Sequence, residues 1–377
     1  MQARNNNIFF SFLTMLPWLT LLFLTGCQKK IDWNSFLLPP LTATEKTKIN
    51  PNPQKKIIVI FVHGTMLGNN PLDEEHHRFL GFYNYQIINK RGLHPIKSED
   101  QQTLGSLIAA ENYRRTFQAL HQNKNQLYFY TYGWDGALDP QHRLRWGKNF
   151  YAEIIHLLKQ KKLWGDKNVE IEVHGFSHGG NVVLNLAQAE REFQQQLSIN
   201  RLCLWGMPVQ QETAHLVEDR LFKEVFHFYS RKDKIQIFDI FSTSRRRSYK
   251  NFNKFLTHIP QKLHQINIKM NSMHPNHYEF WYLGTTSTAY RKNFPLFPFP
   301  LVHFFPLFHE LIKKNHPTSS FLSIVGKRKK NQLKLKLKAA FKKQSFFSTL
   351  ATTSLLCSLD EYGIKNIKAI TTHGSIA

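Results

Sequence analysis

The segment Gly175-Phe176-Ser177-His178-Gly179-Gly180 carries the residue types that nucleophilic catalysis requires. A serine hydroxyl attacks a carbonyl only when it is held clear of its surroundings and supplied with a base. Glycines stand two positions before and two after Ser177. That spacing suits a very tight strand-to-helix turn, where a Cβ would strike neighbouring backbone. The same turn aims the amides of a new helix N-terminus at a developing oxyanion. Upstream, Val62-His63-Gly64-Thr65 closes the first strong apolar run, a second place where backbone amides can converge.

For this turn to work, a buried strand must enter it and an amphipathic helix must leave it. Residues 169–174 supply the strand, and residues 181–193, through Val183, Leu184 and Leu186, supply the helix. Ile57-Ile58-Val59-Ile60-Phe61-Val62 is a continuous, mostly β-branched run of the kind buried on both faces of a parallel sheet. Similar runs recur at 126–131, 202–205, 225–229 and 265–270, with a further helical pattern at 150–163. Alternating strand and helix predicts an α/β fold with a mostly parallel central sheet flanked by helices.

A strand ending in His-Gly-x, followed later by a strand, G-x-S-x-G and a helix, resembles the α/β-hydrolase superfamily, and within it the lipases and esterases. The resemblance covers residues 55–285 and rests on residues 62–65 and 175–180. It implies a serine nucleophile at Ser177 and an oxyanion hole formed by the backbone N–H groups of Thr65 and His178. His63 is then a packing residue. The acid should follow a later strand, which places it at Asp233, with Asp219 and Asp239 as alternatives. The base should come last: His277, in a loop resembling the family's His-x-Glu loops, is preferred to His274, whose backbone is constrained by Pro275. The order Ser177, Asp233, His277 implies acyl transfer from a small-molecule or lipid ester. No cofactor is implied, since neither H-E-x-x-H nor cysteine-based zinc spacing occurs. Tyr132 to Ala137 is expected to form a loop near the site, and residues 66–104 fall where the family often inserts a lid.

The ends of the chain speak to location and partners. An apolar stretch over residues 8–24, preceded by Arg4 and ending at Leu24-Thr25-Gly26-Cys27, has a signal-peptide layout. Its last four residues resemble the lipobox of bacterial lipoproteins, which implies lipid attachment at Cys27 and a place in the cell envelope. The competing expectation is an uncleaved membrane-spanning anchor. The organisation expected is a leader over 1–26, a Pro-containing tether over 27–54, the hydrolase-like domain over 55–290, and a Phe/Pro-rich, basic extension over 291–377. In that extension residues 293–308 are expected to be neither regular helix nor central strand. Nine Lys or Arg and no acid fall within 326–343, where 333–338 alternates Leu and Lys as a strand with one wet, cationic face would.

With 50 Lys+Arg against 26 Asp+Glu, the formal charge of +24 predicts attraction to anionic surfaces. The Phe/Pro segment and basic tail are read either as a joint contact with anionic lipid or as a core-covering extension with a solvated strand. An export signal and the lack of any nucleic-acid module argue against nucleic acid. The alternative function is a catalytically silent hydrolase-fold protein that binds lipid or an acidic envelope partner. Three cysteines exclude a disulfide framework, leaving one Cys203–Cys357 bridge open.

Overall fold

The computed structural model describes residues 55–65, 87–88, 90–97, 104–121, 125–237, 243, 247–283, 299–317, 319–329, 332–339, 352–360 and 363–372. The expected leader, Cys27, the tether and most of the lid region lie outside them.

Among the described residues, eleven strands form one sheet. In chain order they are β1 (Lys56–Val62), β2 (Gly92–Pro95), β3 (Gln126–Gly133), β4 (Val169–Phe176), β5 (Ile199–Trp205), β6 (Phe222–Tyr229), β7 (Leu263–Met270), β8 (Phe321–Lys329), β9 (Gln332–Ala339), β10 (Thr352–Asp360) and β11 (Gly363–Thr372). Their spatial order is β11-β10-β9-β8-β7-β6-β5-β4-β1-β3-β2. From β3 across to β8 every neighbour is parallel; β2 and β9 to β11 are antiparallel edges. The fold is thus α/β with a mostly parallel sheet, as the strand–helix alternation predicts. Because β3 and β4 pair with opposite edges of β1, the strand order reverses there, and the carboxyl ends of strands at such a reversal are where open α/β sheets bind ligands.

Helices cover both faces of the parallel block. On one side α1 (Leu104–His121) and, later in the chain, a helix over Phe305–Asn315 pack on Phe61, Cys203, Phe226, Ile268 and Leu335. On the other, α2 (Pro140–Gln160), α3 (His178–Leu184) and α4 (Leu186–Phe193) pack on Ile58, Ile60, Val173, Leu204 and Val225. The helix Phe305–Asn315 is numbered α5, with Gln211–Ala214 treated as a single helical turn.

Several elements differ from the sequence expectation. Helix α2 begins at Pro140, well before residue 150, because Asp139 caps it: its carboxylate accepts from Gln141 N and His142 N, both at 3.2 Å. The helix expected over 181–193 begins at His178 and is interrupted at Asn185. There α2 crosses closely: a Cβ on Gly147 would lie 2.5 Å from Asn185 Cβ. Part of the Phe/Pro segment is helical after all, since Pro306 falls in the first turn of α5, where its missing N–H costs nothing. Phe299, Phe304, Phe305 and Phe308 are buried in the core, so they cover the sheet and are not at hand for a membrane interface. Residues after 291 extend the main sheet through β8 to β11. Strand β9 alternates as its Leu-Lys pattern predicts, with Leu333, Leu335 and Leu337 buried and Lys336 and Lys338 exposed. Cys203 and Cys357 are both free and buried, not bridged, and burial pushes the Cys357 thiol up to about 12.

An ionic network ties β4 and β5 to α1. Arg201 Nε donates to Glu172 Oε2 at 2.5 Å, and the Tyr113 hydroxyl donates to Glu172 Oε1. His174 Nε2 also donates to Glu172 Oε1, at 2.7 Å, while its Nδ1 accepts from Trp205 Nε1 at 3.0 Å. Burial works to raise the Glu172 pKa, but Arg201 and these hydrogen bonds outweigh it and hold it at about 2.

Candidate active site

Ser177 sits between β4 and α3 with φ 49° and ψ −129°, a backbone region that L residues rarely occupy. The flanking glycines explain how the turn closes. A Cβ on Gly175 would lie 2.7 Å from Gly180 Cα, and one on Gly179 would fall onto the carbonyl oxygen of His63. Both positions therefore need glycine, for the reason inferred from their spacing. Ser177 N donates to Trp205 O at 2.9 Å, which fixes the turn over the end of β5.

The end of β1 meets this turn directly. A Cβ on Gly64 would stand 2.8 Å from Ser177 Cβ, so the backbone leading into Thr65 passes beside the serine. Thr65 is partly exposed, while His178, first residue of α3, is buried. Of the two residues expected to supply oxyanion amides, His178 thus follows the serine directly and Thr65 follows Gly64, which borders it. His63 is buried and serves packing: it stacks on Trp134 at 5.8 Å, its Nε2 accepts from Trp134 N at 3.2 Å, and its carbonyl accepts from Trp134 Nε1 at 2.7 Å. These bonds hold the loop after β3 against the site, where the sequence places it.

Asp233 and His277 come together from two loops, one after β6 and one after β7. His277 Nδ1 and Asp233 Oδ2 are 2.7 Å apart, and both residues are buried. A carboxylate only accepts, so Nδ1 carries the proton and Nε2 is left as an acceptor. The imidazole lies against Phe176, the residue before the serine, with ring centroids 4.7 Å apart. The loops are also tied to one another, because the Ser230 hydroxyl donates to Pro275 O. On the acid side Gln236 N donates to Asp233 Oδ1 at 3.3 Å, and Gln236 Nε2 to Met207 O at 3.0 Å.

The other candidates for acid and base stand elsewhere. His274 turns its Nδ1 back to Ile268 O at 3.1 Å. Asp219 accepts from Arg191 Nε at 2.7 Å and from Leu221 N at 3.0 Å, just before β6 and so at the opposite end of that strand from Asp233. Asp239 lies outside the described residues.

One residue of the site escapes sequence reasoning. Gly206, after β5, has φ 57°, and a Cβ there would be 3.2 Å from Asp233 Oδ2 and 3.2 Å from His277 Nδ1. Trp205-Gly206-Met207-Pro208 offers a glycine near a proline as the signal, though nothing local marks it as part of a site. Glu279, the Glu of the His-x-Glu spacing, has an environment that the spacing does not reveal. It is 2 % exposed, accepts from Asn276 N, and its Oε1 has no partner among the described residues. Burial, aided by the nearby Asp233 charge and opposed by the Asn276 amide and Lys232, pushes it up to about 8. A carboxyl two residues from His277 is therefore pushed toward its neutral form.

Comparison with known proteins adds little to this geometry. No family model matches the chain, and no curated protein matches it. Among solved structures, the crystal structure of the gene lin2722 products from Listeria innocua is similar over 50% of this chain and 81% of that one, at 12% identity. At a TM-score of 0.25 that likeness carries no weight for fold or function.

Proposed function

We propose that the protein is a serine hydrolase of the α/β-hydrolase type, cleaving a carboxylic ester through an acyl-enzyme on Ser177. One observation carries the reading: the 2.7 Å Asp233–His277 hydrogen bond, formed beside a strained serine turn by loops from two later strands. Buried structural histidines are common, but this one is held in a single tautomer by a carboxylate and lies against Phe176, the residue before the serine.

In this mechanism His277 Nε2 takes the Ser177 proton as the oxygen attacks the ester carbonyl. Asp233 orients the imidazole and steadies its positive charge, while the Thr65 and His178 amides receive the tetrahedral oxyanion. The alcohol leaves with the proton returned by His277, and a water activated the same way releases the acid. Attachment of the chain to a membrane through a lipid on Cys27, after removal of residues 1–26, belongs to the same proposal and rests on the sequence alone. The test is hydrolysis of p-nitrophenyl esters of rising acyl length by the wild-type chain and by Ser177→Ala. Turnover of at least one ester, abolished in the variant, is expected; equal turnover in both would remove the serine from the chemistry.

A further inference from the structure

The face of the sheet that carries α2 to α4 changes character after β7. Cross-strand register shows how. Lys327 of β8 stands opposite Lys334 of β9, which stands opposite Leu356 of β10, which stands opposite Lys368 of β11. One step along, Lys336 is opposite Val325, and Lys338 is opposite Ser323. Paired residues share a face, and so do alternate residues of a strand. Lys327, Lys334, Lys336, Lys338 and Lys368 therefore project from one side, and Lys269, paired with Val325, and Lys329, paired with Gln332, extend the array. All but Lys334 and Lys269 are exposed, and those two are half-buried. The opposite side, through Leu322, Ile324, Leu333, Leu335 and Leu355, is buried core.

Folding alone gives no reason for this arrangement. Like charges directly opposite, as Lys327 and Lys334 are, destabilise a sheet unless an anion lies between them. None of these lysines has an ion-pair partner among the described residues. We propose that the lysine face of β7 to β11 docks on the anionic headgroup layer of a lipid bilayer. A broad sheet face carrying evenly spaced ammonium groups meets a plane of phosphates without needing a groove. Lysine is a compact point charge that recognises phosphate without bidentate geometry. Its cross-strand partners on this face are Ser, Val, Leu and Gln, with no aromatic ring among the described residues paired there to stack a base, which disfavours single-stranded nucleic acid. Since Phe299, Phe304, Phe305 and Phe308 are buried in the core, the attachment is electrostatic and screened by salt. Docking of this kind is independent of the chemistry at Ser177.

The experiment uses the full-length chain with Cys27→Ser throughout, so that no lipid can be attached there. Co-sedimentation is measured with vesicles of mixed phosphatidylglycerol and phosphatidylcholine, and with phosphatidylcholine alone. Lys327, Lys334, Lys336 and Lys338 are changed together to Gln; a charge-matched control changes exposed Lys161, Lys162, Lys167 and Lys254 to Gln. Removing a lysine from an anionic surface weakens binding by about fivefold, so the face variant should lose its excess partition to anionic vesicles by well over about tenfold. The control should lose much less, partition to neutral vesicles should not change, and circular dichroism should report a folded sheet in every protein. A further variant, Lys336→Glu alone, covers the case in which the fourfold change does not fold, and should weaken anionic partition more than Lys161→Glu. Equal losses in face and control variants would overturn the proposal. So would a wild-type chain that prefers a single-stranded oligonucleotide to anionic vesicles.

Discussion

At the scale of single residues, the backbone of Ser177 is the most informative feature. Holding a non-glycine residue at φ 49° and ψ −129° costs about 1–3 kcal/mol, and the fold sustains it with glycines that permit the close turn. Ser177→Gly should therefore abolish ester hydrolysis yet raise stability by roughly 1 kcal/mol, read by urea unfolding. Ser177→Ala should abolish hydrolysis with little change in stability. A glycine variant less stable than the alanine variant would show that the turn is not strained. Asp233 is expected to act only through His277, so Asp233→Asn should lower kcat by about 10⁴-fold, through the wrong imidazole tautomer, and leave KM nearly unchanged. A tenfold loss or less would mean that the carboxylate is not what orients the ring. Gly206 belongs to this scale as well. Gly206→Ala combines a positive φ with a Cβ pressed on both Asp233 and His277, so it should cost activity out of proportion to its effect on the melting temperature.

At the scale of elements, the strands are the most legible part of the chain. Runs such as 57–62 are β-branched, apolar on both faces and bounded by turn residues, and only a buried strand fits them. The elbow is legible too, because two glycine positions and a serine are fixed by local sterics. Helix α1 is not: it buries Ser106, Asn112 and Thr116 alongside Ile108 and Tyr113, which blurs its apolar stripe. Gly206 escapes for a different reason. Its importance arises from side chains brought in by other loops, and no local spacing encodes that. The join between β1 and α3 shows the element scale at its most exacting. Gly179→Ala would drive a methyl into the His63 carbonyl, with backbone as the obstacle, and should cost about 1–3 kcal/mol or more along with activity. Wild-type stability in that variant, measured by thermal unfolding, would contradict so close a contact.

At the scale of the whole molecule, two buried carboxyls give stability opposite pH dependences. Glu172, held at about 2 against an ordinary 4.5, is ionised in the folded protein where the unfolded chain has begun to take up protons. Its contribution is complete above pH 4.5 and is lost as pH falls toward 2. Glu279, raised from 4.5 to about 8, keeps its proton in the folded protein while the unfolded chain has released it. Its contribution to stability therefore declines as pH rises from 4.5 to about 8, then levels off. In Glu279→Gln that contribution is absent, so the melting temperature of the variant should gain on that of the wild type as pH rises across the same window; a constant difference between the two would show that Glu279 does not titrate there. Catalysis at the carboxyl end of the parallel block and lysines on its uncovered flank place the two proposed activities on different parts of one sheet. The most direct test of the central claim is the intact mass of the chain after treatment with a fluorophosphonate, followed by peptide mapping. One phosphonyl group on Ser177, formed rapidly in the wild type and only slowly in His277→Ala, is the result expected. A wild-type chain that stays unmodified, or an adduct on Ser177 forming equally fast without His277, would contradict it.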